Sequence, residues 1–149
     1  MMSPDLTTLG ALQATLAGEH AALYLYGALG GRTSLTTTPA LYAALRQGYD
    51  VHRAQRDQLT LVVRDLGAEP VVAAVAYDLP DPVASAVDVA REALALEQRC
   101  AAAYSSLVAQ SVGDQRRWAV TALTSSAVRQ LATGGAAEAF PGVEGLTGS

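Results

Sequence analysis

The sequence predicts an all-α protein, a four-helix bundle, and three observations support this. Apolar residues recur at spacings of three and four along four long stretches of the chain. Most of these stretches are bounded by a helix-capping residue at the start or by glycine at the end. Half of the 149 residues are apolar, as expected for one compact core. Strand-like alternation is almost absent.

The first two helices are predicted in the N-terminal half of the chain. The first spans residues 8–29, after a threonine and before Gly30. The second starts at Thr38 and Pro39, a cap followed by a proline suited to the first turn, and ends before Gly67. Their apolar-face positions are Leu12, Leu16, Glu19, Leu23, Tyr26, Leu41, Leu45, Tyr49, His52, Arg56, Leu59, Val63 and Leu66.

The third helix is predicted to start at Asp81 and Pro82 and to end near Gln110, and the fourth to span residues 114–133. Their face positions are Ala86, Ala90, Ala93, Glu97, Cys100, Tyr104, Leu107, Trp118, Ala122, Ser125, Arg129 and Ala132. We expect a single domain over residues 1–135. Residues 136–149 are glycine-rich and read as a tail, in which only Phe140 and Pro141 are expected to dock on the bundle.

The connections favour one topology. The first and last links are short, which makes the helices they join antiparallel neighbours. The link over residues 67–80 reaches about 46 Å when extended, and the second helix is only about 42 Å long. The link can therefore run the length of the bundle and leave the second and third helices parallel. Two antiparallel hairpins joined by such a crossover form the ferritin-like arrangement, and a simple up-down bundle is the alternative.

Five short motifs carry a resemblance that covers nearly the whole chain. They are GEHAA at 18–22, YDVHRAQRD at 49–57, LEQRC at 96–100, AVR at 127–129 and AFPG at 139–142. In their order and spacing the chain resembles a ferritin-like domain family of unassigned function, found mostly in actinobacteria. The resemblance implies a ferritin-like four-helix bundle and no established activity.

Polar residues at apolar-face positions predict a buried polar layer near the middle of the bundle. Its candidate members are Glu19, Tyr49, His52, Arg56, Glu97, Ser125 and Arg129. A ferritin-like di-iron site takes a Glu from each of two helices and Glu-x-x-His from the other two. Here Tyr49 precedes His52, and the fourth helix carries Ser126-x-x-Arg129. This incomplete ligand set argues against a di-iron oxidase or a ferroxidase.

Two interpretations of the layer remain. In the first, Glu19 and Glu97 pair with Arg129 or Arg56, and the protein is a non-catalytic structural or interaction protein without a cofactor. In the second, Glu19, His52 and Glu97 hold one divalent ion (Fe, Mn or Zn) in a metal-binding protein or oxidoreductase. Alternatively the helix faces are misassigned, and Arg56 or Arg129 reaches solvent.

Charge and composition limit the classes of partner and the cellular location that we expect for this protein. All ten basic residues are Arg, fourteen residues are acidic and the net charge is −4, which argues against nucleic acid. One cysteine allows no intrachain disulfide. Neither a signal peptide nor a membrane span is predicted, so a cytoplasmic location is expected. A homodimer is expected through the alanine-rich flanks of the last two helices, where Leu94, Val120 and Leu123 lie off the main stripe.

Overall fold

The computed structural model describes residues 6–79, 82–136 and 141–142. Its secondary structure is four α-helices, and the described ranges contain no strand. The helices are α1 (Leu6–Gly30), α2 (Pro39–Asp65), α3 (Ala86–Gln110) and α4 (Gly113–Ala132). The predicted all-α four-helix fold is confirmed. None of these helices is long and apolar enough to cross a membrane.

The start of α3 differs from the prediction. Ser85 is the N-cap, and a capping box joins its side chain and backbone to Asp88. Pro82 precedes the helix, and Asp81 lies outside the described residues. The sequence contains two possible helix starts here, one at Asp81 and Pro82 and one at Ser85. The helix begins after Ser85, because its side chain and that of Asp88 both bond backbone N–H groups that would otherwise be free.

Contacts between the helices define their directions. The Thr8 hydroxyl donates to the Gln110 carbonyl, which joins the start of α1 to the end of α3, so these helices are antiparallel. The short links make α1 and α2, and α3 and α4, antiparallel pairs. Across the bundle, His52 bonds Glu97 and Gln55 meets Tyr104, so α2 and α3 run in the same direction.

The link between α2 and α3 runs along α1. The side chain of Gln13 bonds the backbone of Glu69 and Val71. Farther along, the rings of Tyr24 and Tyr77 lie 5.4 Å apart. Arg32, just beyond the end of α1, donates to the carbonyl of Val83. The chain thus returns to the opposite end of the bundle before α3 begins.

The core consists of two apolar clusters separated by a charged layer. One cluster surrounds Leu12, Leu16 and Leu107, and the other surrounds Tyr26 and Leu96. Burying apolar surface contributes about 25 cal/mol per Å² to the stability of such clusters. The polar side chains between them belong to all four helices.

Only Pro141 and Gly142 of the last stretch are described beyond residue 136. Both are half-buried. Gly142 has φ +75° and lies against the backbone of Ala101 and Ala102, where a Cβ would collide. Phe140, predicted to dock, lies outside the described residues.

Candidate charged site at the centre of the bundle

Each helix contributes to one charged layer, which comprises Glu19, His52, Glu97, Ser126 and Arg129. The first four are fully buried, and the Arg129 side chain is 12% exposed. Glu19 and Glu97 come from the antiparallel helices α1 and α3, His52 from α2, and the other two from α4. Buried charges are stable only when they are paired and hydrogen-bonded, so the partners of each group decide what the layer is.

His52 lies between the two carboxylates. Its Nδ1 is 2.6 Å from Oε2 of Glu19, and its Nε2 is 2.9 Å from Oε1 of Glu97. Both ring nitrogens donate a hydrogen bond only when the imidazole is protonated. Burial lowers the pKa of His52, but the hydrogen bonds to Glu19 and Glu97 outweigh it and raise the pKa above its ordinary value. A carboxylate oxygen at each ring nitrogen favours the imidazolium form of His52.

Glu97 receives four hydrogen bonds. Its Oε1 accepts from His52, from Nε of Arg129 at 2.8 Å and from the Tyr26 hydroxyl at 2.5 Å. Its Oε2 accepts from the Ser126 hydroxyl at 2.6 Å. Burial raises the pKa of this carboxyl, but the hydrogen bonds and charges of His52 and Arg129 prevail and lower it to about 2. Glu97 is thus an anion at any physiological pH.

Glu19 completes the charge balance. Its Oε2 faces His52 and its Oε1 accepts from the Tyr104 hydroxyl, so both oxygens are used as acceptors. Two carboxylates then face one imidazolium and one guanidinium, and the layer is neutral. Burial and the neighbouring carboxylates raise the pKa of Tyr104, so its phenol keeps the proton that it donates.

Sequence reasoning did not find the partners of two tyrosines. Tyr26 and Tyr104 were predicted to be core rings with hydroxyls at a rim or polar layer, but their pairing with the two glutamates was not predicted. Each lies seven residues after the glutamate of its own helix, and because the helices are antiparallel each reaches the glutamate of the other. The repeated Glu-x6-Tyr spacing was the available signal. The Tyr26 ring also needs Gly48, where a Cβ would lie 2.5 Å from its Cε1.

Two predicted members lie outside the layer. The Tyr49 side chain is 38% exposed, and in the described residues it makes no hydrogen bond to the layer. Arg56 pairs with its neighbour Asp57 at 2.7 Å and is 33% exposed. For Arg56 this placement agrees with the alternative in which it reaches solvent, because an apolar stripe is wide enough for residues that flank His52 to lie at its edge.

On α4, neighbouring serines take different roles. Ser126 bonds the Glu97 carboxylate directly. Ser125, the predicted member, is half-buried and accepts from Nη1 of Arg129 at 2.6 Å, so it orients the guanidinium. The other terminal nitrogen, Nη2, is buried without a partner in the described part of the chain. Arg129 is thus aimed by two contacts, with one donor left unmatched.

The arrangement of Glu19, His52 and Glu97 does not fit a site for one divalent ion. Glu19 and Glu97 lie on opposite edges of the His52 ring, so the three side chains do not converge on one point. Every carboxylate oxygen of Glu19 and Glu97 already accepts a hydrogen bond from the protein. The guanidinium of Arg129 lies 2.8 Å from Glu97 and would repel a metal cation there. Within the described ranges, no group of three or more His, Cys, Asp or Glu side chains is arranged to hold a metal ion.

One cavity approaches the layer from outside. It has a volume of about 190 Å³, lies between α1 and α3 and is lined in part by Glu19, Cys100 and Tyr104. Burial raises the pKa of Cys100 well above its usual range, so the thiol stays protonated. His20, next to Glu19 in the sequence, faces away and bonds the Val71 carbonyl at 3.0 Å.

Comparison with known proteins places the chain in a family. A family model described as "Domain of unknown function (DUF4439)" matches residues 11–145. The crystal structure of a conserved hypothetical protein, rv2844, from Mycobacterium tuberculosis is similar, with a TM-score of 0.78 and 33% sequence identity over 85% of this chain and 87% of that chain. A search of curated proteins finds no match. The predicted membership of a family of unassigned function is confirmed, and the chain belongs to the DUF4439 family.

Proposed function

We propose that this protein is a ferritin-like bundle in which a salt-bridged layer has replaced the di-iron centre, and that it acts as a non-catalytic structural or interaction protein. The observation that carries the proposal is the complete use of both carboxylates by protein donors. All four carboxylate oxygens of Glu19 and Glu97 accept hydrogen bonds from side chains of the bundle.

The helix arrangement supports the ferritin-like part of the proposal. Two antiparallel hairpins are joined by a long link that follows α1, which is the ferritin-like connectivity. The charged layer lies where inward side chains of four helices meet, as the metal ligands do in such bundles. Glu19 and Glu97 correspond to the single glutamates of two helices, and the Glu-x-x-His positions of α4 hold Ser126 and Arg129.

The charge state of the layer supports the non-catalytic part. A general base or nucleophile needs a pKa near the working pH and access to a substrate atom. The Glu97 carboxylate has a pKa of about 2 and is fully buried under four donors. His52 has no ring nitrogen free to accept a proton. The arrangement suits stabilisation of one helix register better than proton transfer.

Metal analysis tests this proposal most directly. Protein purified without added metal, then incubated with ferrous iron, manganese or zinc and desalted, is measured by inductively coupled plasma mass spectrometry. We expect much less than one ion per chain under every condition. About one ion per chain, lost in His52→Ala but retained in His20→Ala, would replace the proposal with the mononuclear site of Glu19, His52 and Glu97.

A gain-of-function variant tests the ferritin-like part separately. Ser126→Glu with Arg129→His restores Glu-x-x-His on α4 and removes the guanidinium charge from the layer. If the layer occupies the position of a di-iron centre, this double variant should bind metal where the native protein does not. The matched control, Thr124→Glu with Ala127→His, places the same pair outside the layer on α4. Equal binding by the two variants would argue against the ferritin-like assignment.

The interaction role includes the expected homodimer. On α4, Val120, Val128 and Leu131 are exposed apolar residues, and with half-buried Leu123 they offer an uncharged face. Sedimentation velocity over a range of concentrations measures the state of association. We expect a dimer that Val128→Arg dissociates, with Val72→Arg in the link between α2 and α3 as the control. A monomer at all concentrations would remove the dimer from the proposal.

A further inference from the structure

We propose that the cavity between the C-terminal half of α1 and the N-terminal half of α2 binds a small aromatic molecule that carries one anionic group. The cavity has a volume of about 380 Å³, which lies within the range of small-molecule sites. It is separate from the cavity next to Cys100. Its position is fixed by the antiparallel packing of the first helix hairpin.

The cavity owes part of its volume to two glycines of α1. Gly27 and Gly30 line the opening, and a Cβ at Gly27 would lie 3.9 Å from Cε2 of Tyr49. A larger residue at Gly27 would project toward that tyrosine. Glycine in a helix interior costs stability relative to alanine, so the open volume is maintained against helix propensity.

Aromatic and apolar side chains form the walls. Leu45 and the ring of Tyr26 are buried, while Tyr42 and Tyr49 line the cavity with part of their surface exposed. In the described residues, Tyr49 makes no hydrogen bond, so its hydroxyl is available to a ligand. Aromatic rings prefer offset or edge-to-face contacts with another ring, which favours an aromatic ligand here.

The rim carries unpaired charge. Arg46 and Arg53 line the cavity on either side of Asp50, which gives the rim one net positive charge. The hydrogen bond that Arg46 makes in the described residues is a 3.4 Å contact with the Tyr42 hydroxyl, and Arg53 and Asp50 make none there. By contrast, Arg91 and Arg117 each form an ion pair with an aspartate three residues earlier on the same helix.

An exposed guanidinium beside aromatic rings recognises an anionic group on an aromatic molecule, because it donates two parallel hydrogen bonds and stacks on the ring. The protein as a whole carries a net charge of −4, so long-range attraction does not draw anions to this surface. The local pair of arginines supplies the selectivity. Carboxylate, sulfonate and phosphate groups share the required chemistry.

The cavity borders the charged layer without belonging to it. Tyr26 lines the cavity, and its hydroxyl donates to Glu97 in the layer. The inference goes beyond the proposed function and does not depend on whether the layer binds metal. A metal found in the layer would contradict the proposed function and leave the cavity inference untouched.

Fluorescence titration with two dyes tests the inference. 8-Anilinonaphthalene-1-sulfonate is an aromatic anion, and N-phenyl-1-naphthylamine has the same rings without the sulfonate. We expect the anionic dye to bind the native protein at least about tenfold more tightly than the neutral dye. The double variant Arg46→Gln with Arg53→Gln should lose that advantage, while Arg64→Gln at the far end of α2 keeps it.

A filled cavity gives the second arm of the test. Gly27→Leu is expected to weaken binding of the anionic dye at least about tenfold while leaving the fold intact, because leucine has a higher helix propensity than glycine. Gly10→Leu on the same helix, where a Cβ meets no neighbour, is the control and should bind normally. Equal affinity for the two dyes, or unchanged binding in Gly27→Leu, would overturn the inference.

Discussion

Leu16 in its apolar cluster and Glu97 in the charged layer are both fully buried, yet the two regions stabilise the bundle in different ways. In the cluster, each side chain contributes roughly in proportion to the surface it buries, and neighbours can partly relax into a gap. In the layer, each group is tolerated only because its partners are present. Removing one member leaves its hydrogen-bond partners buried with an unmatched donor or acceptor. Changes in the cluster should therefore alter stability in proportion to the apolar surface that is lost. The layer instead favours the one helix register in which all its partners meet.

Loss of Glu97 should be the most damaging single change. Glu97→Ala leaves Arg129 without a carboxylate partner and leaves His52 with Glu19 alone. Removing one partner of a buried ion pair in this way costs about 3–5 kcal/mol. The free energy of unfolding, measured by urea denaturation, should fall by that amount. Glu92→Ala, which removes a partly exposed acid 3.5 Å from Arg91 on the same helix, should cost under about 1 kcal/mol. Equal small losses would mean that the layer is not tightly coupled.

Loss of Leu16 tests the other region. Leu16→Ala opens a cavity in a fully buried position and should cost about 2–4 kcal/mol, depending on how far the neighbours collapse. The exposed Leu61, on α2, is the control, and Leu61→Ala should change stability by less than about 0.5 kcal/mol. Leu16 lies ten residues of α1, about 15 Å, before Tyr26, which bonds Glu97, so the losses from Glu97→Ala and Leu16→Ala should add within about 0.5 kcal/mol in the double variant. A larger deviation from additivity would mean that the two regions are coupled.

The dependence of stability on pH also distinguishes the charged layer from the apolar cluster. The raised pKa of His52 means that its contribution to stability is complete below 6.5, its ordinary value, where the unfolded chain is also protonated. Above that pH the unfolded state loses the proton first, so the contribution declines until the pH passes the folded pKa. The apolar cluster around Leu16 contains no titrating group and should show no such change.

Urea denaturation between pH 5.5 and 9 measures this linkage. The stability of the native protein relative to His52→Gln should decline above pH 6.5, by at most about 1.4 kcal/mol for each pH unit. His20→Gln is the control and should retain the decline, because His20 bonds only a backbone carbonyl near the surface. A difference between native protein and His52→Gln that is constant over this range would contradict an imidazolium in the layer.

Helical periodicity was enough to predict the four helices and the burial of Glu19, His52 and Glu97. These residues lie at the centres of their apolar stripes, so small errors in helix phase do not expose them. The periodicity of one helix carries no information about its register against another. It could not show that Ser126 rather than Ser125 meets Glu97, or that Tyr26 and Tyr104 exchange partners across α1 and α3.

The prediction of the first residue of α3 failed for a different reason. The motif Ser85-x-x-Asp88 was present in the sequence, but the aspartate and proline at 81 and 82 form an equally familiar start signal. In the structure the helix begins after Ser85, whose side chain and that of Asp88 both bond backbone N–H groups. Local patterns therefore predicted the presence of the helix better than its first residue.

The smallest expected effect comes from Arg56, which separates the predicted layer from the observed one. Arg56 pairs with Asp57 at the surface, and such exposed pairs contribute little. Arg56→Gln should change the free energy of unfolding by less than about 0.5 kcal/mol. Arg129→Gln, the matched change of the arginine inside the layer, leaves Glu97 without its guanidinium partner and should cost at least about 2 kcal/mol. If the two variants were equally stable, the boundary of the charged layer would have to be drawn again, because the contrast depends on the buried pairing of Arg129 with Glu97.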